Sequence, residues 1–194
     1  MLSAFRLIFN ESLLSSASYS IDQKENQIEE ECLKVLALHH PVANDLRFVI
    51  AVLKFNNDLE RMGDLAANIA ECSIYLASHE PLLAVLNFHR MADGVQTMVS
   101  KSLDALIRMD TKLAQIVLTL DDEIDDLNRE MYTALQDIIR QSPEFIDRAV
   151  QTLSVSRYLE RIADLSTNIT EDVVFMVYSD LIRHQVEKLD SLHW

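Results

Sequence analysis

Two short acidic strings, Glu60-Arg-Met-Gly-Asp64 and Glu160-Arg-Ile-Ala-Asp164, hold the residues best suited to chemistry. A Glu and an Asp four residues apart share one helix face, roughly 6 Å apart along the axis. Asn68 and Glu71, and Asn168 and Glu171, continue the two faces. Like charges at this spacing cost a helix roughly 0.2–0.5 kcal/mol. A bound cation would offset that cost, because hard and borderline cations favour several carboxylate oxygens. The competing reading is a solvated acidic face on which Arg61 and Arg161 pair locally. Gly63 and Ala163 each precede the Asp, and a small residue there lets a neighbouring helix or ligand come close.

The strings are copies of one another. Leu59-Glu-Arg-Met-Gly-Asp-Leu-Ala-Ala-Asn-Ile69 and Leu159-Glu-Arg-Ile-Ala-Asp-Leu-Ser-Thr-Asn-Ile169 agree at Leu, Glu, Arg, Asp, Leu, Asn and Ile, at a constant offset of 100 residues. That agreement marks an internal duplication. A weaker echo lies upstream. Asp22 and Glu25 precede Ile28 and Cys32, and Asp122 and Asp125 precede Leu127 and Met131. Carboxylates from such a helix, packed alongside, would complete a cation's shell.

Long helices must position these residues. The chain has 2 Gly and 3 Pro in 194 residues, too few for a turn-rich strand protein. Apolar residues recur at helical spacing over 41–79, through Leu46, Val49, Ile50 and Leu53. They recur again from 143 onward, through Ile146, Ala149, Val150 and Leu153. Further helices are expected near 9–39, 84–108 and 111–140, with Asp110-Thr111 as a cap and no sheet. Pro41, Pro81 and Pro143 read as helix starts. The expected fold is all-α: two pseudo-repeat antiparallel bundles forming one unit. The first, 1–80, has two long helices and the second, 81–194, three. The first repeat thus lacks a leading helix, which exposes apolar surface and favours a partner or a homo-oligomer.

Charge and motif content narrow the function. A net charge of −14 repels nucleic-acid phosphates and anionic lipid, and suits cations or a basic protein surface, or serves solubility alone. Cys32 and Cys72 read as core residues, not as zinc ligands or a disulfide. No apolar run approaches the ~18 residues of a membrane span. The apolar stretch within residues 1–9 is too short and poorly flanked for a signal peptide, so the expected location is the cytoplasm. His39 and His40 fall at a helix end, where a cation suits the dipole. There is no Glu-x-x-His, His-Glu-x-x-His, Gly-rich phosphate loop or nucleophile elbow. A non-enzyme is expected. A metal-dependent hydrolase built on the clustered carboxylates is the catalytic alternative, without an evident general acid.

The runs Glu31-Cys-Leu-Lys-Val-Leu-Ala-Leu-His-His-Pro-Val-Ala-Asn-Asp-Leu-Arg47 and Leu53-Lys-Phe-Asn-Asn-Asp-Leu-Glu-Arg-Met-Gly-Asp-Leu-Ala-Ala-Asn-Ile69 resemble the PhoU family of phosphate-signalling proteins. Ser156-Arg-Tyr-Leu-Glu-Arg-Ile-Ala-Asp-Leu-Ser-Thr-Asn-Ile169 resembles that family's second copy. The resemblance implies two three-helix bundles and negative regulation of phosphate uptake. The implied partners are the ATPase of a phosphate ABC transporter and a sensor histidine kinase, with the protein peripheral to the inner membrane through them. It also implies multinuclear iron, zinc or nickel on Glu60, Asp64, Glu160 and Asp164. Asn68, Asn168, Asp22, Glu25, Asp122 and Asp125 extend that set. A PhoU-like cytoplasmic module of a sodium/phosphate cotransporter is the alternative the shortened start leaves open.

Overall fold

The computed structural model describes the backbone of residues 11–82 and 86–190, and side chains over 20–82 and 86–178. Five long helices carry this span: α1 (Glu11–His39), α2 (Asn44–Ala77), α3 (Phe88–Arg108), α4 (Thr111–Gln141) and α5 (Ile146–Asp190). No strand occurs among the described residues. The structure is all-α, as the helical periodicity requires.

The helix ends explain themselves locally. Asp110 caps α4, its side chain accepting from the backbone N–H of Lys112 at 2.8 Å and of Leu113 at 3.4 Å. Met109, just before it, closes α3 in the left-handed region. His39 sits in the last turn of α1, where a basic side chain suits the negative end of the helix dipole. The prolines behave less uniformly than expected. Pro143 begins the short 3-10 turn Pro143–Phe145 that leads into α5. Pro41 instead lies in the α1–α2 connection, which His40 and Ala43 turn with positive φ, and α2 starts at Asn44. Pro81 lies before α3, which starts at Phe88 and not near 84; residues 83–85 fall outside the description.

α2 and α5, which carry the two acidic strings, pack against each other at the centre. Among the described residues α1 packs on α2 alone, whereas α3 and α4 pack on α5 and on each other. One apolar cluster runs through the assembly, from Phe55, Leu65 and Ile69 of α2 to Met98, Leu127, Met131 and Ile169. Cys32 and Cys72 are buried free thiols, and burial pushes both thiols up.

The apolar stripes differ from expectation at two helix starts. Leu46 and Ile50 of α2, and Ile146 and Val150 of α5, are exposed. In α5 the buried stripe runs through Ala149, Thr152, Val155 and Ser156. Hydroxyl residues fill core positions there because each finds a nearby acceptor. Thr152 donates to the Arg148 carbonyl at 2.7 Å, and Ser156 to Asn128 Oδ1 at 2.6 Å.

Candidate metal centre

Each acidic string meets a flanking helix. In the first repeat α1 supplies the opposing face, and Ile21 settles against Gly63. A Cβ on Gly63 would stand 2.9 Å from Ile21 Cδ1, so the glycine permits this approach. The equivalent Ala163 is buried in the core. The close packing brings Asp22 of α1 to Glu60 and Asp64 of α2. One carboxylate oxygen from each of the three lies within 4.8 Å of the others. Among the described residues no other group of three His, Cys, Asp or Glu converges this closely. Asp22 and Glu60 are half-buried and Asp64 is exposed, so the cluster opens to solvent on one side.

Burial pushes the Glu60 carboxyl up, and Asp64 adds to the rise through its charge and a shared hydrogen bond, with smaller contributions from Glu25 and Asp22. Glu25 therefore stands at the margin of this cluster. Its backbone carbonyl also accepts from Asn56 Nδ2 at 2.8 Å, which pins α1 to α2 beside the site. Asn68 is half-buried further along α2, outside the three-carboxylate group.

The second repeat assembles a broader cluster between α4 and α5. Burial again comes first among the causes that raise Asp121, Glu160 and Asp164. The Asp125 charge follows or stands close behind in all three, which places Asp125 among them. Asp122 is exposed and acts on Asp121 alone of the raised groups. Asp121 was not among the residues expected from sequence. Its counterpart at the 100-residue offset is Ile21, so a search for features shared by both repeats passes over it. The usable signal was Asp121-x-x-x-Asp125, the same spacing as the motif itself.

Asn168 departs from the expected site. It lines a separate groove of about 280 Å³ at the α2–α5 seam, with Lys54, Asn57, Asp58, Glu171 and Asp172. Lys54 Nζ lies 3.1 Å from Asp172 Oδ1 there and ties the two repeats together. Burial and the Asp172 charge raise Asp58. Glu171 borders this groove, and its charge also reaches Asp121. Arg61 and Arg161 are exposed, and among the described residues neither forms an ion pair with a motif carboxylate. In the second repeat the Arg161 charge offsets part of the rise at Glu160 and Asp164, without a direct ion pair.

A carboxylate-only donor set suits a hard or borderline cation. The three converging oxygens of Asp22, Glu60 and Asp64 fit such an ion. The residues from α4 and α5 form a wider acidic basin.

Comparison with known proteins now bears on this arrangement. The family model described as the PhoU domain matches residues 14–73 and 88–173, and each stretch contains one acidic string. The chain is 38% identical over 166 residues to a protein of Aquifex aeolicus named phosphate-specific transport system accessory protein PhoU homolog, covering 86% of this chain and 75% of that relative. It is 37% identical over 168 residues to the protein of the same name from Pseudomonas aeruginosa, covering 84% and 68%. The crystal structure of PhoU from Pseudomonas aeruginosa superposes with a TM-score of 0.83 at 32% identity, over 87% of this chain and 81% of that one. The phosphate transport system regulatory protein PhoU from Streptococcus pneumoniae superposes with a TM-score of 0.72 at 32% identity, over 85% and 77%.

Proposed function

Because the chain belongs to the PhoU domain family, we propose that it is a non-enzymatic accessory protein of phosphate-specific transport that holds metal on its acidic faces. In this reading it restrains phosphate uptake and phosphate-responsive signalling, acting between the ATPase of a phosphate ABC transporter and a sensor histidine kinase. The names of its relatives support the transport association. The observation that carries the metal reading is the convergence of Asp22, Glu60 and Asp64 from two helices. In the second repeat Asp125, Glu160 and Asp164 stand at the positions of Glu25, Glu60 and Asp64, and Asp121 joins them. A bound ion supplies the positive charge that both clusters lack. The carboxylates orient it and, once ionised, link the paired helices around it. Iron fits the all-oxygen donors better than a thiolate-seeking ion does. No helix of the described residues is long and apolar enough to cross a membrane.

The reading is tested in two parts. Deletion of the gene is expected to release phosphate-responsive transcription under high phosphate; unchanged repression overturns the regulatory role. Natively purified protein is expected to carry stoichiometric transition metal, lost on Glu60→Gln with Glu160→Gln. Metal-free protein, with melting unchanged by a chelator, overturns the metal assignment.

A further inference from the structure

A buried polar residue stands one turn before each acidic string and reaches the flanking helix. Asn56 precedes Glu60 by four residues, and Ser156 precedes Glu160 by four. Both are buried. Asn56 Nδ2 donates at 2.8 Å to the backbone carbonyl of Glu25, three residues after Asp22. Ser156 Oγ donates at 2.6 Å to Asn128 Oδ1, three residues after Asp125. A carbonyl only accepts, so the Asn56 amide nitrogen is the atom that must face it.

The two cross-links differ in what surrounds them. α4 is also held by α3, with Ile124, Leu127, Met131 and Leu135 buried along it. On α1, Cys32 alone is buried among the described side chains. Lys24, Asn26 and Lys34 make their hydrogen bonds within α1, whereas the Asn56 bond crosses from α2. Apolar contact has no preferred direction, so a sparse apolar seam fixes register weakly. A hydrogen bond tolerates only small displacements. A slide of α1 by one residue moves Asp22 about 1.5 Å along the axis and about 100° around it. That turn carries its carboxylate away from Glu60 and Asp64, which now share a 4.8 Å neighbourhood with it.

We propose that Asn56 is the positioning residue of the first cluster: by holding the Glu25 carbonyl it sets the α1 register that brings Asp22 to Glu60 and Asp64. The inference rests on the reading of that cluster as a cation site. Asn56 donates no ligand; it acts through Asp22. Ser156 makes a comparable contact in the second repeat, where the buried stripe of α4 holds the register without it. The dependence on the cross-link is therefore one-sided.

Manganese(II) titration of the metal-free full chain, beside thermal melts, tests this. Glu160→Gln with Asp164→Asn isolates the first cluster, and Glu60→Gln with Asp64→Asn isolates the second. Asn56→Leu keeps the size and removes the donor. The Glu25 carbonyl retains its intrahelical bond, so melting is expected to change little. Manganese affinity at the first cluster is expected to fall about 10- to 100-fold, as for residues that orient metal ligands, with the second cluster unchanged. Asn56→Ser, too short to span to the backbone, is expected to act alike and serves where leucine is not tolerated. Ser156→Ala is expected to change the second cluster little. Leu36→Ala, at a half-buried α1 position away from the cluster, is expected to lower melting and keep the affinity. An equal affinity loss in Leu36→Ala overturns the proposal, because loosening α1 by any route would then suffice. Unchanged affinity in both Asn56 variants overturns it too and leaves the cation reading standing. No manganese bound by the wild type at either cluster overturns the cation reading, and this inference with it.

Discussion

The two repeats use one acidic pattern in opposite surroundings. The second encloses it: α3, α4 and α5 bury each other's inner faces, with Met91, Met98 and Ala105 of α3 wholly inaccessible. The first leaves it on a helix pair, with Phe48 at 54% exposure and Leu38 at 73%. Burial and carboxylate chemistry vary together. The enclosed repeat raises three carboxyls in its cluster, Asp121, Glu160 and Asp164, whereas the open repeat raises Glu60 within a tighter group and Asp58 apart from it at the α2–α5 seam. Enclosure strengthens the repulsion among like charges, and openness lets side chains converge while water screens them. A duplicated motif therefore does not guarantee duplicated sites.

Truncation of the cores should separate the repeats most. Met131→Ala in the second repeat, where the side chain is 2% exposed, is expected to cost about 2–5 kcal/mol in denaturant unfolding. Phe48→Ala in the first should cost under about 1 kcal/mol. Equal costs would mean the first repeat is as enclosed as the second. The glycines at the two helix contacts give a smaller contrast. Gly94→Ala drives a methyl into Ile124, which is buried, and is expected to cost about 1–3 kcal/mol. Gly63→Ala meets the half-buried Ile21, whose end can swing aside. The helix-propensity gain of about 1 kcal/mol should leave it near neutral by the same measurement.

The smallest effect is in pH dependence. A raised carboxyl keeps its proton in the folded chain after the unfolded chain has released it. Metal-free stability therefore falls as pH rises from the ordinary carboxylate range through the raised values. Asp125→Asn removes a charge that acts on three raised groups, and Asp22→Asn one that acts on Glu60 last. Thermal melts against pH should flatten more for Asp125→Asn. A greater flattening by Asp22→Asn would reverse the ranking of the two basins.

Periodicity alone made the helices legible, because long amphipathic stripes with few glycines or prolines have little other solution. The cap at Asp110 and the close approach at Gly63 were legible for the same local reasons. The stripes misled at Ile146 and Val150. There buried serine and threonine satisfy themselves on nearby acceptors, which no apolar pattern records. Glu60 and Asp64, and Asp22 beside them, were readable from repetition. Asp121 was hidden by repetition, since Ile21 holds its place in the other copy. Asn168 shares a helix face with Glu160 and Asp164, yet the neighbouring α2 sets which groove it lines.

Among the described residues α1 has a single neighbour, and Asp22 at the first cluster belongs to it. An ion joining Asp22 to Glu60 and Asp64, as proposed, would also clasp α1 to α2. Occupancy of that cluster and attachment of α1 would then be one equilibrium, read by ion concentration.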